Sequence, residues 1–179
     1  SFVEGETNDE TAPTCVHKMA RDAKDPRIVY QQNHMGVYRR VRGDPAWTRI
    51  EKGLPLNPQR GSPFGFPMVA HPHAGGTAYT VPLLGDFNRV VPEGAMALYG
   101  TTNGGKNWSR IVKGLPQKNA WFTVLRDGMR ADANDPAGIY IGTTTGQLYA
   151  SRDDGNSWKL MADHLPQVQC VETGIVGGA

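Results

Sequence analysis

Three tyrosine-to-tryptophan segments built to one ruler constrain this chain more than any single motif does. Tyr38, Tyr99 and Tyr149 each precede a tryptophan (Trp47, Trp108, Trp158) by nine positions, and Leu54-Pro55, Leu115-Pro116 and Leu165-Pro166 each begin seven positions after it. Further upstream, Asp22, His71 and Asp132 stand eight positions before Tyr30, Tyr79 and Tyr140. Asp22 to His71 is 49 positions and His71 to Asp132 is 61; the excess of 12 lies between Tyr79 and Tyr99, 20 apart where Tyr30 and Tyr38 are 8 apart. The unit is therefore a repeat of 49 residues whose second copy carries an insertion. Such a unit is one supersecondary element that buries its faces by stacking on its neighbours.

Gly 22 and Pro 13 among 179 residues punctuate short runs of Val, Ile, Thr, Tyr and Trp, with no extended helical periodicity, so the fold class is all-β. Each unit reads as four strands. They are 14–20, 27–32, 36–41 and 47–51 in the first, 64–70, 77–83, 95–101 and 107–112 in the second, and 120–126, 138–143, 147–151 and 157–161 in the third. Four antiparallel strands per unit of this length predict a β-propeller blade. The expected organisation is a partial propeller: an N-terminal extension at 1–13, blade one at 14–55, blade two at 64–116, blade three at 120–166, and the innermost strand of a further blade at 168–179. Propellers close with roughly four to eight blades. The expected partner is thus the remaining blades, from the same gene or a second copy of the chain.

The turn after each third strand carries the local chemistry. Ser151-Arg152-Asp153-Asp154-Gly155-Asn156-Ser157-Trp158 follows the pattern Ser-x-Asp-x-Gly-x-x-Trp. In a tight turn the hydroxyl and carboxylate accept from loop amides, the glycine takes positive φ and the indole covers the turn. The second copy keeps Thr101, Gly105 and Trp108 and replaces the carboxylate with the Asn103 amide; the first retains only Trp47. These residues resemble the Asp-box, or BNR, repeats of sialidases, sortilin-type receptors, xyloglucan-cleaving endoglucanases and photosystem II assembly-factor-like proteins. Gly53-Leu54-Pro55 and Gly114-Leu115-Pro116 are most similar to bacterial sialidase-like, BNR-repeat glycosyl hydrolase sequences. The resemblance implies that the boxes lie on the blade periphery, so Ser151, Asp153, Gly155, Trp158, Thr101, Asn103, Gly105 and Trp108 are structural.

Blade geometry puts the turns between second and third strands, and the connections between blades, on one face. The insertion at 81–94 falls there, and long loops on rigid scaffolds are where binding concentrates. The candidate ligand-binding residues on this face are Gln32, Asn33, His34, Asp86, Arg89, Glu93, Arg126 and Thr144, with Phe87 or Trp121 as an apolar platform for a glycan or a protein segment. A sialidase-like enzyme would need an arginine cluster, a tyrosine nucleophile and an acid. Arg21, Arg89 and Arg126 could supply the cluster, but the ruler uses every tyrosine. An endoglucanase would need two carboxylates, for which Asp86, Glu93 and Asp127 are the unassigned acids. The functional expectation is a binding propeller; the alternative is a glycoside hydrolase with catalytic residues partly outside this chain.

A net charge of +2 without a basic stripe gives no reason to expect nucleic acid, since Arg39-Arg40-Val41-Arg42 reads as a charged strand edge. No apolar run suits a membrane span and no secretory signal precedes the repeats, so the default expectation is cytoplasm, or a secreted or periplasmic location if the N-terminus is processed. No cofactor or metal set is read. His71-Pro72-His73 is expected to be a turn, His17 is noted because inner strands line a propeller's channel, and Cys15 and Cys170 are expected to be buried free thiols.

Overall fold

The computed structural model describes residues 15–174, and the extension at 1–13 lies outside them. Among the described residues twelve strands form three four-stranded antiparallel sheets, each in simple up-and-down order. Sheet one is β1 (Val16–Arg21), β2 (Ile28–Asn33), β3 (Gly36–Val41) and β4 (Thr48–Arg49). Sheet two is β5 (Phe64–Ala70), β6 (Ala78–Leu83), β7 (Leu98–Thr101) and β8 (Ser109–Ile111); sheet three is β9 (Met129–Ala131), β10 (Ile139–Gly142), β11 (Leu148–Ser151) and β12 (Lys159–Ala162). The first strands β1, β5 and β9 are neighbours, as the inner strands of consecutive blades should be. No helix among these residues is long and apolar enough to cross a membrane.

The upstream half of the ruler is a hydrogen bond. Tyr30 donates its hydroxyl to Asp22 and Tyr140 to Asp132, at 3.1 and 3.0 Å, because eight residues of β-hairpin return the second strand beside the end of the first. The same carboxylates accept loop amides: Lys24 and Asp25 donate to Asp22, and Asn134 and Gly138 to Asp132. In blade two His71 takes this place with its ring. Its Nδ1 accepts from the amides of His73 and Ala74, which leaves Nε2–H to donate to Asp154 of blade three at 2.9 Å. The expected turn histidine is therefore an imidazole standing in for a carboxylate, and it ties two blades together.

The box turns close in the manner their chemistry demands. Ser151 donates to Asp153 Oδ1 and accepts from the Gly155 amide, while Ser157 donates to Asp153 from both its amide and its hydroxyl. Thr101 and Asn103 repeat this pattern with Gly105 and Asn107, so the amide oxygen suffices as acceptor. Between blades, Trp108 and Trp158 donate their amides to Lys52 and Lys113 of the preceding blade. That packing explains the glycines before Leu-Pro: Gly53 and Gly114 have φ of 95° and 86°, and a Cβ on either would overlap the carbonyl of Trp108 or Trp158. The corresponding residue of blade three is His164, left-handed at φ 60° and exposed. Two apolar cores result, one between sheets one and two around Tyr30, Val37, Ile50 and Trp108, the other between sheets two and three around Phe64, Leu98, Ile139 and Trp158.

Three expectations are corrected. The inner strand of blade three is Met129–Ala131 rather than 120–126. Ala120, Phe122, Thr123 and Val124 are buried, yet their backbone ties the insertion instead of a sheet: Ala120 donates to Gly94, and Phe122 accepts from Val91. The segment expected as a further inner strand, 168–179, forms no strand within its described part, 168–174. It has one parallel bridge, Cys170 to Asp127, and lays Val168 and Val171 over Gly142. Both cysteines are exposed, because Cys15 stands where the chain enters β1 and Cys170 lies on this bridging segment.

Candidate functional site

On the face carrying the insertion, the start of β1, the β2–β3 turn, the connection into β5, the insertion and the approach to β9 converge around two phenylalanines. Phe64 and Phe66 stand two apart in β5, the spacing that sets side chains on one face of a strand, just where its register shifts between Gly65 and Met68. Their rings meet edge to face at 5.4 Å. His17, from β1, packs against both at 5.3 and 4.8 Å, and His34, from the β2–β3 turn, lies 5.4 Å from Phe64. Arg89 of the insertion and Arg126 both set their guanidinium groups over Phe66, at 5.6 and 4.8 Å from the ring centroid. Cation–π contact of this kind stabilises an arginine by about 0.5–2 kcal/mol and leaves its N–H edge available to an acceptor.

The charges around this mouth are unequal. Arg60 pairs with Asp86 at 2.8 Å; burial opposes ionisation of Asp86, but the Arg60 hydrogen bond, the Asp86 backbone amide and the charges of Arg60 and His34 together outweigh burial and hold the carboxyl below its usual range. Arg89 donates Nε to the Asp86 carbonyl, which shapes the insertion. Arg126 makes no hydrogen bond or ion pair among the described residues beyond its ring contact. Two like charges over one ring thus leave the mouth positive. His17 is pushed down to about 4, chiefly by burial and against the pull of the Gly65 carbonyl, with His34, Arg126 and Arg89 adding repulsion, so its ring is neutral near pH 7. His34 is lowered for the same first reason, with Asp86 opposing.

Of the eight residues selected from sequence, His34, Asp86, Arg89 and Arg126 meet at this mouth. Gln32 is buried and spends its amide on the carbonyls of Asn33 and Gly36 in its own hairpin. Asn33 accepts from the Met35 amide, and its Nδ2 is a buried donor without a partner among the described residues, as is that of Asn57 in the connection carrying Arg60. Buried donors in that state are rare in native proteins and draw water or ligand. Thr144 accepts from the Thr123 amide, and Thr123 in turn donates its hydroxyl to the Arg89 carbonyl, so Thr144 braces the insertion. Glu93 lies elsewhere, in a recess with Tyr99 and Arg110, and Asp127 pairs with Lys18. Arg21 lines a separate recess with Met19 and Trp47. Of the proposed platforms, Trp121 rests on Gly94 while Phe87 is 90% exposed. Sequence reading placed the connection that carries Arg60 on this face without singling that residue out, and it missed Phe66. A strand phenylalanine carries no sign of the arginines that will cover it.

No family model matches the chain, and no curated protein matches it. Solved structures do. An ancestral GH74 enzyme aligns over 82% of this chain and 18% of its own length, at 16% identity and a TM-score of 0.60. YCF48 bound to a D1 peptide aligns over 82% and 40%, at 17% and 0.45, and a GH74 enzyme of Niastella koreensis over 83% and 25%, at 14% and 0.42. At such identities the likeness is one of fold, and the chain spans 18 to 40% of these neighbours' length. The fold is that of a partial β-propeller, and at that coarse level the chain is a propeller scaffold.

Proposed function

We propose that this is part of an Asp-box-type propeller whose insertion face binds a carboxylate-bearing ligand, a glycan or a peptide, without catalysing its cleavage. The single observation that carries the reading is the pair Arg89 and Arg126 stacked on Phe66, one of them without any other polar partner among the described residues. Guanidinium groups held by an aromatic face lose little freedom on binding an oxyanion, and each charge-assisted hydrogen bond stabilises a complex by about 1.5–3 kcal/mol. Against the hydrolase alternative, Asp86 is held by Arg60, Asp127 by Lys18, and Glu93 lies in a different recess. None of these settings suits a poised acid.

Calorimetric titration of uronic-acid oligosaccharides and acidic peptides against their neutral counterparts checks this. The charged ligands should bind at least about 10-fold tighter, and the double variant Arg89→Ala/Arg126→Ala should lose that preference, since about 1.4 kcal/mol is one decade. Equal binding of charged and neutral ligands, or an unchanged double variant, would overturn the reading.

We also infer that the open sheet faces are covered by further blades, from the same gene or a second copy. Met19 is 48% exposed and Met161 55%, and three blades are fewer than the roughly four at which propellers close. In isolation the chain should therefore self-associate. A monodisperse 19.5 kDa particle in light scattering would count against it.

A further inference from the structure

At the edge of the mouth, three side chains from two segments bring together a donor set that the anion reading does not use. Cys15 stands just before β1, His17 lies in it, and His34 is in the β2–β3 turn; one ligand atom from each falls within 4.8 Å of the others. His17 Nε2 and His34 Nδ1 are 3.1 Å apart. With metal–nitrogen bonds of about 2.0–2.1 Å and a metal–sulfur bond of about 2.3 Å, tetrahedral geometry separates neighbouring ligand atoms by roughly 3.3–3.6 Å. The two nitrogens already stand near that spacing, and the thiol reaches it by moving about 1 Å, within the range of a change in χ1 at an exposed residue.

Two features orient the set for binding. His17 Nδ1 lies 2.6 Å from the Gly65 carbonyl, which fixes the proton on Nδ1 and turns the Nε2 lone pair toward His34. A backbone carbonyl on the remote nitrogen is the usual support of a metal-binding histidine. Cys15 has φ 73°, a left-handed conformation that non-glycine residues rarely adopt, and its sulfur stands within 4.8 Å of the imidazole nitrogens. Phe64 and Phe66 form an apolar wall against the imidazoles. Arg60, Arg89 and Arg126 oppose a bare cation beside His34, and Asp86 favours one. The Cys15 thiolate removes one charge of a dication, and an anion or hydroxide in the remaining position can remove another.

We propose that Cys15, His17 and His34 bind a divalent transition metal of zinc type, with a fourth position left to water or an anion. Two nitrogens and one sulfur select borderline and soft ions over magnesium or calcium. On binding, the Cys15 S–H releases its proton to solvent and His34 shifts its ring proton to Nε2, so one proton leaves per metal bound. The residues stand together only in the folded chain, because the β1–β2–β3 meander returns His34 beside the start of β1.

The protein, kept reduced and stripped with chelator, should take up one equivalent of zinc. Cobalt in its place should show a thiolate-to-metal charge-transfer band in the near ultraviolet. Cys15→Ser should abolish the band and weaken zinc binding at least about 10-fold, His34→Gln should weaken it similarly, and Cys170→Ser should change neither. Absence of metal uptake, a band that survives Cys15→Ser, or one lost with Cys170→Ser would overturn the assignment. Cys15 is exposed and His34 half-buried, so neither variant depends on refolding the core, as one at His17 would. Metal content and carboxylate titration are read separately, so this site and the arginine pair stand or fall independently.

Discussion

Trp108→Ala is expected to lower the stability of the chain by about 3–5 kcal/mol, the range for removing a large buried aromatic side chain. Trp108 is 2% exposed, packs among Tyr30, Ile50, Leu54 and Met68, and donates Nε1–H to the Ile50 carbonyl of the preceding blade at 2.6 Å. Its truncation opens a cavity at the junction of two sheets and orphans a buried carbonyl there. For a chain of this size the midpoint of thermal unfolding should fall by roughly 10 °C. Trp108→Phe keeps most of the packing and loses the donor, so it should cost about 1–3 kcal/mol. Trp47, in the degenerate first copy, is half-exposed under Arg40 and should cost less than either. Thermal or urea unfolding measures all three. A loss below about 1 kcal/mol for Trp108→Ala would mean that the blade junction is not where cohesion resides.

The second large effect is acid sensitivity centred on Asp22. Burial of this carboxylate opposes its ionisation, but the amides of Asp25, Gly76 and Lys24 and the Tyr30 hydroxyl outweigh burial and hold it below the usual carboxylate range. A group whose folded pKa is depressed contributes stability that is fully present above the unfolded value, near 4, and is lost as pH falls through the folded value. Asp132, held by Gly138, Asn134 and Tyr140 against burial, acts in the same direction. Stability should therefore fall steeply below about pH 4, and Asp22→Asn should flatten that fall while lowering stability at pH 7. The loss at pH 7 should be about 3 kcal/mol, the scale of two charge-assisted hydrogen bonds. The Gly76 amide, which donates to Asp22 at 2.6 Å, lies in blade two, so the variant also loosens the first junction. Denaturant unfolding at pH 7 and pH 3.5 gives both numbers. An unchanged acid slope in the variant would assign the sensitivity to other carboxylates.

Legibility in the sequence followed the range of the interaction. The ruler found the second and third strands of every unit to within a few residues, because hairpins and turns are set by residues less than ten apart. It also identified the box turns and the aspartate-type turn that His71 fills. It misplaced the inner strand of blade three, since apolar Ala120, Phe122 and Val124 stand at alternate positions in the sequence as in a strand, while their backbone partners, Gly94 and Val91, lie in the insertion. The thiols were misjudged for a related reason: apolar neighbours in sequence do not bury a cysteine that stands before a strand or on a bridging segment.

For the candidate site, the sequence singled out the insertion face and named four of the residues that come together there. Pairing was beyond it. Arg60 with Asp86, Arg89 and Arg126 on Phe66, and Cys15 with His34 join loops of different strands and blades, so no local periodicity records them. By itself the sequence determined the repeat, the blade-forming hairpins and the chemistry of each turn, because these depend on spacing along a single strand or hairpin. The tertiary structure alone decided which loop tips converge and with what charge, because the stacking of one blade on the next sets that geometry, through side chains tens of residues apart.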